Sequence, residues 1–219
     1  MSIIEAVVFD FDGVIADSEV HSNRALAESL SAIGMATTFD DCLRDYCGHN
    51  WQETLRRIEA RFGEPLPPNF LKNHRERNGA LFAENLAAVP GASEFLDRLD
   101  AKPRAVASSS RREYLGWALA RLGLAHHFGD HLYSADGMER GKPHPDIYLL
   151  AARGLGVVPE RCLAIEDSPV GARAAVAAGM TVVGLVAASH IGDPATHAEQ
   201  LRAVGVHHVA FSFKEVRFN

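Results

Sequence analysis

The sequence predicts an α/β protein: a doubly wound parallel sheet of the Rossmann-like type, interrupted near its start by an all-helical insertion. Two observations carry this. Beyond residue 86, short apolar runs alternate with stretches of helical spacing, and repeated β-α units build parallel sheets covered on both faces. Between residues 17 and 86 there is no strand-like run, although one such run, Ala6 to Asp10, precedes that block. The two together predict an α/β core of residues 1–16 and 87–219 with a helical cap domain of residues 17–86 inserted into it.

Ala6 to Asp10 is apolar, β-branched and aromatic, as a short buried strand should be. Residues 19–34 have helical spacing through Ala25, Leu26, Leu30 and Ile33, and end at Gly34. Asp40 and Asp41 begin a short helix that carries Leu43 and Tyr46. Gly48-His49-Asn50 is a break, after which Trp51 to Phe62 is helical with Leu55, Ile58 and Phe62 on one face. Pro65, Pro67 and Pro68 stiffen a turn before a helix over 69–84. Val89-Pro90-Gly91 marks the boundary of the block. The alternation then runs helix 92–100, strand 104–108, helix 111–122, short strand 132–134 and helix 145–154, with Pro145 near its first turn. It continues with strand 162–165, helix 169–178, strand 181–186, helix 199–204 and a last strand 206–211.

The chain has 219 residues, 47% of them apolar and 23% charged, which is ordinary for a globular protein with a substantial core. A net charge of −6 and a pI near 6.0 argue against nucleic acid or an anionic membrane as partner. They leave room for a small anionic substrate, because a metal and a few cations invert a local field. Cys42, Cys47 and Cys162 show no metal-binding spacing, and an odd number suits reduced thiols. The N-terminus shows no basic-then-apolar leader, and no apolar run reaches membrane-spanning length. The expectation is a cytoplasmic monomer.

Ligands of open parallel sheets lie beyond the carboxyl ends of the strands, so the strand ends are where function is sought. The first ends in Asp10-Phe-Asp12 followed by Gly13. Two carboxylates this close repel unless a cation sits between them, and oxygen ligands suit Mg²⁺; an ordinary Asp-Gly turn fits the same residues. The second ends in Ser108-Ser109-Ser110 before a helix, which fits either an anion cradle or a simple N-cap. The next connection carries Lys142 in Gly-Lys-Pro-His-Pro, where a loop lysine is ordinarily solvated. The following strand ends in Glu166-Asp167-Ser168, where the acids also suit helix capping. Singly each structural reading holds. Jointly, acid, hydroxyl, cation and acid on successive strand ends are what phosphoryl transfer needs.

Asp-Phe-Asp-Gly-Val at 10–14, the hydroxyl at Ser108, Lys142 in Gly-Lys-Pro-His-Pro-Asp, and Glu166-Asp167-Ser168 with Gly171 and Ala178-Gly179 together resemble the haloacid dehalogenase superfamily. The resemblance extends over nearly the whole chain, and is to the branch holding β-phosphoglucomutase and sugar-phosphate phosphatases. It implies that Asp10 is the nucleophile, forming an aspartyl-phosphate, and that Asp12 is the general acid and base. It implies Mg²⁺ held by Asp10, the Asp12 carbonyl and Asp167, with Glu166 a weaker ligand. Ser108, the Ser109 amide and Lys142 are then the phosphate-binding groups. The implied substrate is a small phosphorylated metabolite, a sugar phosphate or a sugar-acid phosphate such as 6-phosphogluconate. A β-phosphoglucomutase-type mutase and a non-catalytic binding protein are the alternatives. Trp51 occupies the position aligned with the mutases' cap arginine, and no motif is broken, so neither alternative is favoured.

Specificity is expected from the cap, with His21, His49, Asn50, Trp51 and Arg75 as the candidates. The basic run Lys72, His74, Arg75, Arg77 also reads as a solvated helix face. Trp51 also reads as packing within the cap, and the His pairs at 126–127 and 207–208 as surface residues.

Overall fold

The computed structural model describes residues 3–46, 51–99 and 101–217. In chain order these form β1 (Ala6–Phe9), α1 (Glu19–Ala32), α2 (Phe39–Asp45), α3 (Trp51–Phe62), α4 (Phe70–Asn85), α5 (Ala92–Asp97), β2 (Arg104–Ser108), α6 (Arg112–Arg121), β3 (Leu132–Ser134), α7 (Asp146–Leu155), β4 (Cys162–Glu166), α8 (Pro169–Ala177), β5 (Thr181–Leu185), α9 (Pro194–Ala203) and β6 (His208–Ala210). Single 3₁₀ turns, Ala125–His127 and Pro159–Arg161, precede β3 and β4.

The strands make one parallel sheet in the order β3-β2-β1-β4-β5-β6. β1 is central, with β2 and β4 on either side, so the strand order reverses at β1. β1, β2 and β4 are buried along their whole length, as strands covered on both faces are. Phe9, the last residue of β1, packs edge-on against Phe95 and Phe128.

The chain divides into two compact units, residues 1–17 with 87–219, and residues 18–86. Where the chain leaves the first unit and returns to it, the two passes pair: Ala16 bridges Ala88, Asp17 N donates to Ala87 O, and Val89 N donates to Ile15 O. The second unit has its own apolar cluster, built on Leu26, Leu30, Met35, Cys42, Tyr46, Ile58 and Phe70. Its helix α2 opens with a capping box, Thr38 and Asp41 each bonding the other's backbone N–H.

The expected helix over 199–204 is longer than the sequence reading had it. It begins at Pro194, because Asp193 accepts from the Ala195 and Thr196 amides and Pro194 fills the first turn. The early turn is polar, with Thr196 and His197, so apolar spacing does not reveal it. The last strand is shorter than 206–211, three residues instead of six.

Candidate functional site

The loops at the carboxyl ends of β1, β2 and β4 and the loop before α7 bring most of the expected residues of the α/β unit into contact. Asp10 follows β1 and is 8% exposed. Its Oδ1 accepts from Lys142 Nζ at 2.8 Å, and the same Nζ donates to Glu166 Oε1 at 2.6 Å. Lys142 is therefore not a solvated loop lysine; its ammonium is buried between two carboxylates and lies 5.1 Å from the centre of the Tyr148 ring. Oxygens of Asp10, Glu166 and Asp167 lie within 4.8 Å of one another.

Every lone-pair direction of Glu166 is in use. Oε1 also accepts from Tyr148 OH at 2.6 Å, and Oε2 accepts from Ser168 N and Oγ at 3.2 and 3.1 Å. Ser168 caps α8 by accepting from Gly171 N. A Cβ on Gly171 would come within 1.8 Å of Glu166 Oε1, so only glycine lets the helix approach this closely. Gly13 is required twice over: its φ is +81°, and a Cβ there would lie 1.9 Å from Asp167 Oδ2.

The charges do not balance. Among the described residues of this cluster, Asp10, Glu166 and Asp167 lie together and one ammonium touches the first two; burial, then the charge of Glu166, push the Asp10 pKa up to about 7 against the pull of Lys142. Burial alone would favour the neutral amine of Lys142, but Asp10 and Glu166 hold its pKa above the ordinary value. Burial, then Glu166, raises Tyr148 well above 10, so its hydroxyl stays a donor. An all-oxygen acidic set with excess negative charge fits a hard divalent cation, and such a cation would supply the missing positive charge.

Asp167 is further held from behind. His197 Nε2 donates to its backbone oxygen at 2.5 Å, and His190 Nε2 lies 3.6 Å from Oδ2. Burial, then His197, pushes the His190 pKa down to about 4, so that ring is neutral. Asp12 reaches the Ser108–Ser110 loop: Ser110 Oγ donates to its Oδ2 at 2.6 Å, and Ser110 N donates to Ser108 Oγ at 3.0 Å. Ser108 is buried and Ser109 exposed.

The cap candidates separate differently. His49 and Asn50 lie outside the described residues. Trp51 is 40% exposed and stacks on His74, with ring centres 5.1 Å apart. His21 sits edge-on to Phe82, with its Nδ1 buried and unbonded. Arg75 is exposed. Elsewhere, Asp97, His126 and His127 bring side-chain oxygen and nitrogen atoms together on the surface. There the Arg104 guanidinium, 3.5 Å from His127 Nδ1, opposes a cation. A surface hollow of about 350 Å³ lined by Arg98, Lys214, Val216 and Arg217 includes none of the acidic cluster.

Sequence reasoning missed Tyr148, Ser110, His190 and His197. Ser110 was visible as the third member of its triplet. Tyr148 was signalled only as a polar-tipped ring on the otherwise apolar face of α7.

Fold and site together define a doubly wound α/β protein with a carboxylate-lysine cluster where the strand order reverses. The chain belongs to the haloacid dehalogenase-like hydrolases: the profile of that family matches residues 4–179. It is 30% identical over 198 residues to the 6-phosphogluconate phosphatase of Escherichia coli, covering 90% of this chain and 89% of that one. It is 34% identical to a phosphorylated carbohydrates phosphatase of Thermotoga maritima, over 97% of this chain and 100% of that one. Among solved structures, a conserved haloacid dehalogenase-like protein of unknown function from Agrobacterium tumefaciens superposes with a TM-score of 0.85 at 30% identity. That match covers 97% of this chain and 95% of the other. The chain is thus an enzyme of the hydrolase class. No helix among the described residues is long and apolar enough to cross a membrane.

Proposed function

We propose that this hydrolase is a Mg²⁺-dependent phosphatase acting on a small phosphorylated metabolite, a sugar phosphate or a sugar-acid phosphate of the 6-phosphogluconate kind. The observation that carries the reading is the buried Lys142 ammonium shared between Asp10 and Glu166. A lysine so placed lies beside the carboxylate whose attack on a phosphate must be shielded from charge repulsion. The phosphatase-named relatives support the substrate class.

In this reading an Asp10 oxygen bonds to phosphorus as the bond to the leaving oxygen breaks. Asp12 gives its proton to that oxygen, then takes one from the water that displaces Asp10 from phosphorus. Lys142, the Ser108 hydroxyl and the Ser109 amide offset negative charge on the transferring oxygens. Asp10, Asp167 and the Asp12 carbonyl would hold Mg²⁺, which supplies Lewis-acid shielding between carboxylate and phosphate. Glu166, its oxygens occupied, holds Lys142 and is at most a water-mediated ligand. His21, Trp51 and Arg75 are the specificity candidates of the helical unit.

The test is phosphate release over a panel of phosphorylated metabolites, with and without Mg²⁺, for the parent and for Asp10→Asn. We expect the variant to lose at least about 10³-fold in kcat with its fold intact. Chelation should abolish parent turnover. Substantial phosphatase activity in Asp10→Asn, or full activity after exhaustive chelation, would refute the assignment.

A further inference from the structure

Asp12 is gripped at both carboxylate oxygens by residues that no motif assigns. Ser110 Oγ donates to Oδ2 at 2.6 Å, and Tyr114 OH donates to Oδ1 at 3.3 Å. Neither partner is placed loosely. The Ser110 backbone is fixed at both ends, its N–H on Ser108 Oγ at 3.0 Å and its C=O accepting from Ser134 Oγ at 2.7 Å. Ser134 Oγ in turn accepts from Asp136 N at 3.1 Å. The Tyr114 ring stands edge-on to Phe11, the residue between the two aspartates, with centres 5.8 Å apart, and lies tilted beside Trp117 at 6.2 Å.

We infer that Ser110 and Tyr114 are positioning residues that hold the Asp12 carboxylate in one orientation for proton transfer. A serine hydroxyl has one proton, and the short bond spends it on Oδ2. The inference rests on the phosphatase reading. In its terms, the leaving alkoxide takes the Asp12 proton as its bond to phosphorus breaks. The Asp12 carboxylate later accepts a proton from the water whose oxygen bonds to phosphorus as the bond to Asp10 breaks.

The test uses two ring-bearing substrates. p-Nitrophenolate departs without a proton, whereas the benzyl alkoxide of benzyl phosphate needs one. Since kcat/KM covers only the steps up to departure of the leaving group, it isolates the acid half of the cycle. We expect Ser110→Ala to lower kcat/KM for benzyl phosphate on the order of 10-fold to 100-fold, and for p-nitrophenyl phosphate several-fold less. Tyr114→Phe should show the same bias more weakly, and Ser110→Thr, which keeps the hydroxyl, should recover most of the loss. Asp12→Asn is the reference. If it shows no bias between the substrates, the acid role of Asp12 falls, and the inference with it. If it shows the bias but Ser110→Ala lowers both substrates equally or neither, the positioning role alone is overturned.

Discussion

The two units bury polar groups in opposite ways. In the helical unit, His74 lies stacked between Trp51 and Phe70, and its Nδ1 meets Ser29 Oγ at 3.1 Å. Ser29 spends its only proton on Ala25 O at 2.6 Å and accepts from Arg77, so the His74 nitrogen must be the donor. Every member is neutral or reaches solvent, and the network closes on itself. In the α/β unit, three carboxylates cluster and one ammonium reaches two of them, so among these groups negative charge is in excess. A satisfied buried network specifies a fold; a buried charge left out of balance marks where a ligand belongs.

This contrast can be broken most severely at Lys142. Lys142→Met should lower kcat by about 10²–10³-fold, as expected on losing a charge aimed at the reacting group. It should also destabilise the protein by about 3–5 kcal/mol, because Asp10 and Glu166 lose their counter-charge. Activity assays and denaturant melts read the two effects. A variant as stable as the parent would mean that the carboxylates do not depend on the lysine.

Gly171→Ala should be milder but affect both properties. Its Cβ would press on Glu166 Oε1 and displace the anchor of Lys142, costing about 1–3 kcal/mol and lowering kcat. Unchanged stability and turnover would show that α8 can yield there.

The smallest effect sharpens the other side of the comparison. Burial, and then the charges of Arg77 and Arg75, depress the pKa of His74 below 6.5. Below pH 6.5 the unfolded chain therefore binds a proton that the folded chain refuses. Stability is fullest above that pH and falls as pH drops, by at most about 1.4 kcal/mol per pH unit from this group. Melts of the parent and of His74→Gln between pH 7 and 5 should show a flatter slope in the variant. Equal slopes would show that His74 titrates in the folded state as it does in the unfolded one.

Much of this architecture is legible in the residues. The strands 104–108 and 132–134 and the helix 51–62 coincide with the structure, because a short strand-forming run and helical spacing are both written locally. Strand ends rich in acids, hydroxyls and one lysine marked the loops of the site, since such groups do not end an apolar run without cause. The start of α9 was less legible, since its signal was a cap and a proline, with no apolar period.

Composition and spacing thus pointed to the class of fold, to a helical stretch between residues 17 and 86, and to the strand ends where the candidate residues lie, because each depends on near neighbours in the chain. Folding alone decided the pairings. Lys142 chooses Asp10 and Glu166, 132 and 24 positions away. Ser110, and not Ser109, holds Asp12, 98 positions away. Tyr148 rises from a core face to meet Glu166. Such pairings depend on which strands lie side by side and how far each extends, and no local period of the chain encodes that.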